Sequence, residues 1–494
     1  IDQWLPDTIL MSSEAPVNLW QAVSMSSGGL ILNYAQVDSN QVEQSYLRRY
    51  DADGNQVGQG PLLAPGAFPE PAFMIRELSS NQYLLWHVGN GDPCNLILQK
   101  MDAVGNLLLP QALSLSLPSS AGSSSTLYNH VSISPLSDGG LLISWSYDAA
   151  SISYQHRVQR LSPDWQALWN AAGITVTPNH PNSSFRVRED AQQHFFCTWT
   201  ERPSSNTWQV KAQRISPAGD LLWGAGGVQV DANRPFMTSF LGFCGAGQYH
   251  CLWYTWEDSH YRLKRQTLDA TGTPQLAVGG EPFVSQLGGW SSKHLSIALA
   301  GAFFSFWQDV RPENNGIYFQ KSDAEMNTYL SEAGKRLLAP SPSATQVLCQ
   351  VEKLADDRIA VLYYYYGANS SYYVQIVDAE GEVLLPNSGY FVGNNLINPV
   401  IDCFEGDIYL AWMTEPAPPN QYLLKAQRFV AGQIAWEAGG KAIAWSPASI
   451  TSINVKNRYF SWKQSSGGTL QSCVRRVDAN GFIQPGWIEA LNIL

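Results

Sequence analysis

The sequence predicts an all-β chain, one β-propeller of about nine four-stranded blades, and three observations carry that expectation. The stretch at residues 208–232, WQVKAQRISPAGDLLWGAGGVQVDA, recurs in altered form along the whole chain. Short apolar runs alternate with turn residues, and no stretch sustains the 3.6-residue period of a helix. The copies are also evenly spaced. The position of Gln213 is held in turn by Arg48, Gln99, Gln159, Gln213, Gln266, Gln320, Gln375, Gln427 and Arg475, a mean step of about 53 residues.

Taken in order, the chain first offers a short apolar strand at residues 7–12 (DTILMS). It resembles the last strand of later units, and a ring completed by both chain ends needs such a closing strand. Unit one follows through GGLILNYAQ, the turn at 51–54 and GPLLAPG. Each later unit repeats four pieces. A first apolar strand (SFRVRED, NPVIDCF) precedes a second with a central aromatic, as at 195–199, 251–256, 303–307 and 408–412. The third strand carries Gln followed in most copies by a basic residue, and the fourth has the character of GVQV.

The turn after the third strand has its own chemistry. Asp51, Asp102, Asp269, Asp378 and Asp478 each precede a glycine three positions on. Asp accepts backbone N–H bonds and Gly supplies positive φ, as in a type I turn with a bulge. Ser216 and Gly219 make the same turn with a proline between them. At Ser162/Trp165 and Asp323/Met326 the glycine is missing, which predicts looser hairpins. Insertions fall at 119–126 (SSAGSSST) and 416–420 (PAPPN), where connections belong. A run of four tyrosines at 363–366 replaces the usual Trp.

No composition break marks a second domain, so residues 1–494 are expected to form one propeller. Units that cannot bury both faces alone pack side by side around an axis. Eight blades with a diverged pair of strands is the alternative, and an open solenoid, which would need polar caps, comes behind it.

The chain is 45% hydrophobic and 14% charged, which makes it globular rather than disordered. A net charge of −11 gives no basic footprint for a phosphate backbone, so nucleic acid is disfavoured as a partner. An anionic bilayer surface is disfavoured on the same ground. No run reaches the roughly 18 apolar residues of a membrane span. The chain begins at Ile1 and reads as a trimmed, exported product: extracellular, at the cell surface or in the periplasm. A monomer is expected.

Seven cysteines show no CxxC pair, so zinc spacing is absent. Cys244 and Cys251 flank an expected hairpin and could face each other, and geometry rather than sequence decides whether they pair. The histidines show no ligand spacing. Asp51 opens a sequence superficially like a calcium loop, but Gln56 and Leu62 stand where the required Gly and Glu would be. No cofactor and no metal are expected.

Candidate binding residues follow the second-strand aromatic, where the chain turns toward one rim. They are Glu201, Arg202, Trp256, Glu257, Asp258, Asp309, Arg311, Tyr364 and Glu415. Carboxylates, arginines and aromatics converging on a rim suit a sugar, a peptide or a cation. The competing account is that the carboxylates pair with the periodic Arg or Gln of the adjacent third strand and hold each blade together. A feature repeated in many blades favours that structural account, since a single site needs one copy.

The W-x-D-x-R strand at 307–311, followed by A-Q-R and a D-x-x-G hairpin, resembles propeller-like repeats of secreted or surface bacterial proteins. That resemblance implies an exported interaction module. The hairpin at 216–223, with Trp169, Trp223 and Trp436 in comparable places, resembles the tryptophan-docking hairpin of quinoprotein propellers. It implies a Trp locking neighbouring blades; there is no vicinal cysteine pair and no calcium and quinone ligand set.

The expectation is therefore a non-catalytic binding or adhesion scaffold at a bacterial surface, recognising glycan or protein through rim loops. A glycan-acting hydrolase or lyase using rim carboxylates such as Asp258 and Asp309 is the alternative, and a quinone-dependent dehydrogenase a lesser one.

Overall fold

In the computed structural model the described residues are 17–483 without 26–27, 38–42, 52–54, 58–61, 64–72, 80–81, 90–93, 103–104, 118–130, 149–153, 178–181, 205–206, 235–236, 246, 258–259, 285–293, 310–314, 324, 332, 340–344, 415–421, 432, 447–449 and 467–468. The expected closing strand at 7–12 lies outside them. The unit shows most plainly in the fourth sheet. Strands Asn182–Glu189, Phe195–Ser204, Thr207–Ile215 and Val228–Arg234 pair antiparallel in chain order. Nine sheets form among the described residues, most of them four-stranded in this up-and-down order.

The second strand is buried almost without interruption, from Phe195 to Glu201 in the fourth sheet. Alternation fails there because both faces of the sheet are covered by neighbouring sheets, as in strands of doubly packed sheets generally. The first strand carries a recurrent register shift near its middle, between Ser183 and Arg186, Ser239 and Leu241, Leu348 and Gln350, and Thr451 and Asn454. Such bulges increase the local twist, as radial packing requires.

The core lies between sheets. Leu142, Val158 and Trp169 of the third pack with Phe195, Trp199 and Ile215 of the fourth. Comparable clusters join each sheet to the next, and the first sheet (Leu30, Leu32, Tyr50) packs with the last (Tyr459, Val474). Across that seam Asn457 Nδ2 donates to Met25 O at 3.0 Å and the Tyr459 hydroxyl to Asp51 O at 3.1 Å. The sheets therefore close a ring, the β-propeller the sequence predicts. No helix long and apolar enough to cross a membrane occurs among the described residues.

The periodic glutamine turns out to be a clamp on its own hairpin. Gln213 Oε1 accepts from the N–H of Arg214 and of Trp223, both at 2.9 Å, while Nε2 donates to Gly224 O at 2.6 Å. Gln159, Gln320 and Gln427 make the same three bonds. A buried amide satisfying backbone groups that leave the ladder is what makes this position repeat.

The residue after it reaches outward. Arg160 donates to Asp138 at 2.7 Å and to Pro217 O of the next sheet at 3.2 Å. The Trp169 indole donates to that same carbonyl at 3.1 Å. Trp223 repeats the bond on Ala270 and Trp436 on Ala479, so the expected Trp lock between blades is present at three seams. The glycine of the receiving turn makes room: a Cβ on Gly272 would lie 2.9 Å from the Trp223 ring.

Two expectations need correction. The turns lacking glycine are not looser. Trp165 and Met326 adopt φ of 60° and 63°, and both close the same hydrogen bonds, Trp165 N to Ser162 O at 2.8 Å and Met326 N to Asp323 O at 3.2 Å. Each side chain is 1% exposed, sunk into the preceding sheet, and that burial offsets the left-handed backbone. Cys251, for its part, is a free thiol. Backbone register sets Gly242 opposite it and Cys244 opposite Tyr249, so the two cysteines are out of step.

Candidate functional site

Second and third strands end together at one rim. The last rungs are Ser204 opposite Thr207, just beyond Glu201 opposite Gln209, then Glu257 opposite His260, Asp309 opposite Gly316 and Tyr365 opposite Ser371. The described candidates thus lie toward this end of their strands, Glu201 and Asp309 two residues past the buried tryptophan and Glu257 four past its own. Asp258, Arg311 and Glu415 lie outside the described residues.

What holds this rim is the second-strand tryptophan. Trp199 packs against Gly227 at the start of the fourth strand, where a Cβ would stand 2.7 Å from its ring. Gly280, Gly334 and Gly440 receive Trp253, Trp307 and Trp412 in the same way. The buried indole N–H then needs an acceptor. Trp199 finds Glu201 Oε2 at 3.2 Å, two residues along its own strand, and Trp462 finds Gln464 Oε1 at 3.1 Å. Trp253 has Thr255 at that position and donates instead to Asp231 Oδ2 at 3.0 Å, on the preceding sheet.

Glu201 is consequently 1% exposed, and Lys211 Nζ, 3.2 Å away, and the Gln209 amide complete its partners. The carboxylate does pair with the adjacent third strand, but not with Gln213 or Arg214 as expected. Those two point to the hairpin at the other end of the blade. Asp231 has its carboxyl pushed up from the ordinary range by burial, against the pull of Arg234 and Lys264. Glu257 joins Arg234 at 2.9 Å and Lys264 at 3.1 Å. Arg202 lies over the Trp208 ring, 5.6 Å from its centre. Asp309 is 2% exposed, and Trp256 is half-buried.

The seventh sheet departs from this scheme. Tyr363 takes the tryptophan's place and its hydroxyl donates to Ser388 O. Tyr364 stacks on Tyr372 with ring centres 4.8 Å apart, and Tyr365 meets Tyr373 edge-on at 5.5 Å. Tyr366 ends the strand 65% exposed. Burial pushes the Tyr372 hydroxyl up to about 12 and raises that of Tyr364, so both rings stay neutral donors at any physiological pH. Of this group the sequence reading singled out Tyr364. Tyr366 and Tyr372 were signalled only by the tyrosine run and by the alternation in SYYVQIV, while Lys211, Arg234 and Lys264 carried no signal.

Among the described residues no group of three or more His, Cys, Asp and Glu is placed to hold a metal ion. On this rim the fourth and fifth sheets hold carboxylates engaged in ion pairs, whereas the seventh offers neutral aromatic faces.

No protein-family model matches the chain, and no curated protein does. Among solved structures it is similar to a eukaryotic initiation factor at 12% identity, over 97% of each chain, with a TM-score of 0.44. It is similar to an endo-arabinase from Bacteroides thetaiotaomicron at 12% identity, over 53% of this chain and 95% of that one, with a TM-score of 0.26. The β-propeller domain of the Trilobed protease from Pyrococcus furiosus is 8% identical over 72% of this chain and 99% of that one, with a TM-score of 0.31.

Proposed function

We propose that the chain is a non-catalytic binding scaffold, exported and acting as a monomer at the cell surface, whose second-to-third-strand rim recognises a glycan or protein. One observation carries the reading. Two rim carboxylates are built into their blades: Glu201 accepts the Trp199 indole and pairs with Lys211, and Glu257 pairs with Arg234 and Lys264. A general acid or base needs a group free to exchange its proton with a substrate, whereas these carboxylates serve as anchors for the strands that present the rim.

The test is a glycan and protein array run beside a turnover assay on every glycan that binds. Retention without turnover is the expected result. Cleavage of a bound glycan that disappears in Asp309→Asn would replace this reading with the hydrolase or lyase.

A further inference from the structure

We infer that the rim of the seventh sheet is a binding site for a neutral oligosaccharide, built on Tyr366, the Tyr364–Tyr372 pair and the amides of Asn369 and Asn394. This rests on the rim-binding reading above and deepens it.

Aromatic surface is the first component. Tyr366 is largely exposed beside the stacked Tyr364 and Tyr372, at the point where the second strand leaves the sheet. The C–H face of a sugar ring is apolar and packs on such rings, while its edge presents hydroxyls.

A fixed set of amides supplies the second. Asn395, held at φ 52°, ties two connections together. Its N–H donates to Ser370 O at 2.7 Å, its Oδ1 accepts from Ser370 N at 3.0 Å, and its Nδ2 donates to Asn369 Oδ1 at 3.2 Å. Asn394 Oδ1 accepts from the Ser371 hydroxyl at 2.7 Å. These bonds use the oxygens of Asn369 and Asn394. Their amide nitrogens make no bond among the described residues and lie on exposed side chains, oriented before any ligand arrives. Donors held in advance reduce the ordering cost of binding.

Charge is the third component, by its lack. No charged residue occurs between Arg358 and Asp378 or between Glu382 and Asp402, in a chain of net charge −11. An acidic glycan or a basic peptide would find no counter-ion here, whereas a neutral polyol needs none. The fourth and fifth sheets, by contrast, carry Arg202, Arg234, Glu257 and Lys264 at this rim.

Calorimetric titration of the full chain decides the matter, with cello-, manno-, xylo-, arabino- and laminari-hexasaccharides as neutral probes and an oligogalacturonate as the acidic one. At least one neutral probe is expected to bind. Tyr366→Ala and Asn394→Ala should each weaken it at least about tenfold, and Tyr366→Phe should keep it. Phe482→Ala, an exposed aromatic of the last hairpin, should change nothing. Melting curves matching the parent establish that the variants are folded. Binding of a neutral probe that ignores both alanine variants but is lost in Trp208→Ala moves the site to another sheet and leaves the rim reading standing. Binding of the acidic probe alone, or of none of the six, overturns the inference, and capture of protein but no glycan on the array would then show the rim reading surviving without it.

Discussion

The indole of Trp223 donates to the carbonyl oxygen of Ala270, 3.1 Å away on the next sheet, and Arg214 Nη1 reaches the same oxygen at 3.4 Å. One acceptor thus gathers two donors from the neighbouring blade, each set in place by the hairpin that Gln213 clamps. The arrangement recurs with Trp169 and Arg160 on Pro217, and with Trp436 and Arg428 on Ala479.

Trp223→Phe keeps most of the packing between Phe196 and Tyr249 but removes the N–H. Because Arg214 still serves the carbonyl, the loss is expected near the low end for a hydrogen bond, about 0.5 kcal/mol. Trp223→Ala also opens a cavity over Gly272 and should cost about 3–5 kcal/mol. Urea denaturation measures both. Equal losses in the two variants would mean that packing contributes nothing beyond the bond.

Met326 permits a sharper test. Replacing it by glycine relieves a left-handed residue, a gain of about 1–2 kcal/mol. It also removes a side chain buried beside Phe283 and Trp307, a loss of about 2–5 kcal/mol. Met326→Gly should therefore be destabilising in thermal melts even though it restores the D-x-x-G pattern of its sister turns. A more stable variant would show that burial does not hold this turn.

These two turns show where the sequence was readable. Gln213 acts on groups up to 11 residues along its own hairpin and Asp269 on groups up to 6 along, so their spacing repeats and the grammar can be read. Met326 breaks that grammar because its conformation is set by a cavity in the preceding sheet, which no local pattern encodes. The rim behaves the same way. The W-x-E pairing of Trp199 with Glu201 lies within one strand and leaves a signature, but Trp253 borrows Asp231 from another sheet. Asn369 and Asn394 become neighbours only once Ser371 pairs with Asn394. Nothing in the run of tyrosines announced them.

Glu201 is expected to act on stability and leave ligand binding alone. Glu201→Ala strands the Trp199 N–H and Lys211 in a buried setting, which should cost about 3–5 kcal/mol. Glu201→Gln keeps an oxygen for the indole and should cost roughly half as much. Chemical denaturation ranks the three proteins, and calorimetry with any rim ligand should give equal affinities for the parent and the Gln variant. Affinity that falls with Glu201→Gln while stability does not would return this residue to the binding surface.

His250 sets a pH dependence of its own. It is fully buried, with Nδ1 2.9 Å from the Thr267 hydroxyl. Burial, with Arg265 adding to it and Asp323 opposing it, lowers its pKa from the ordinary 6.5 to about 4. The folded chain therefore refuses a proton that the unfolded chain takes up between those values. Stability from this residue is intact above pH 6.5, declines as pH falls toward 4 by about 1.4 kcal/mol per unit, and levels off below. Asp138, whose carboxyl is lowered because the Gly140 N–H and Arg160 outweigh burial, loses its contribution only below its ordinary 3.8, in a separate window. His250→Asn retains a partner for Thr267 and cannot titrate. Urea midpoints at pH 7, 6, 5 and 4 should fall more steeply for the parent than for the variant, and parallel lines would show that His250 takes up its proton in the folded state.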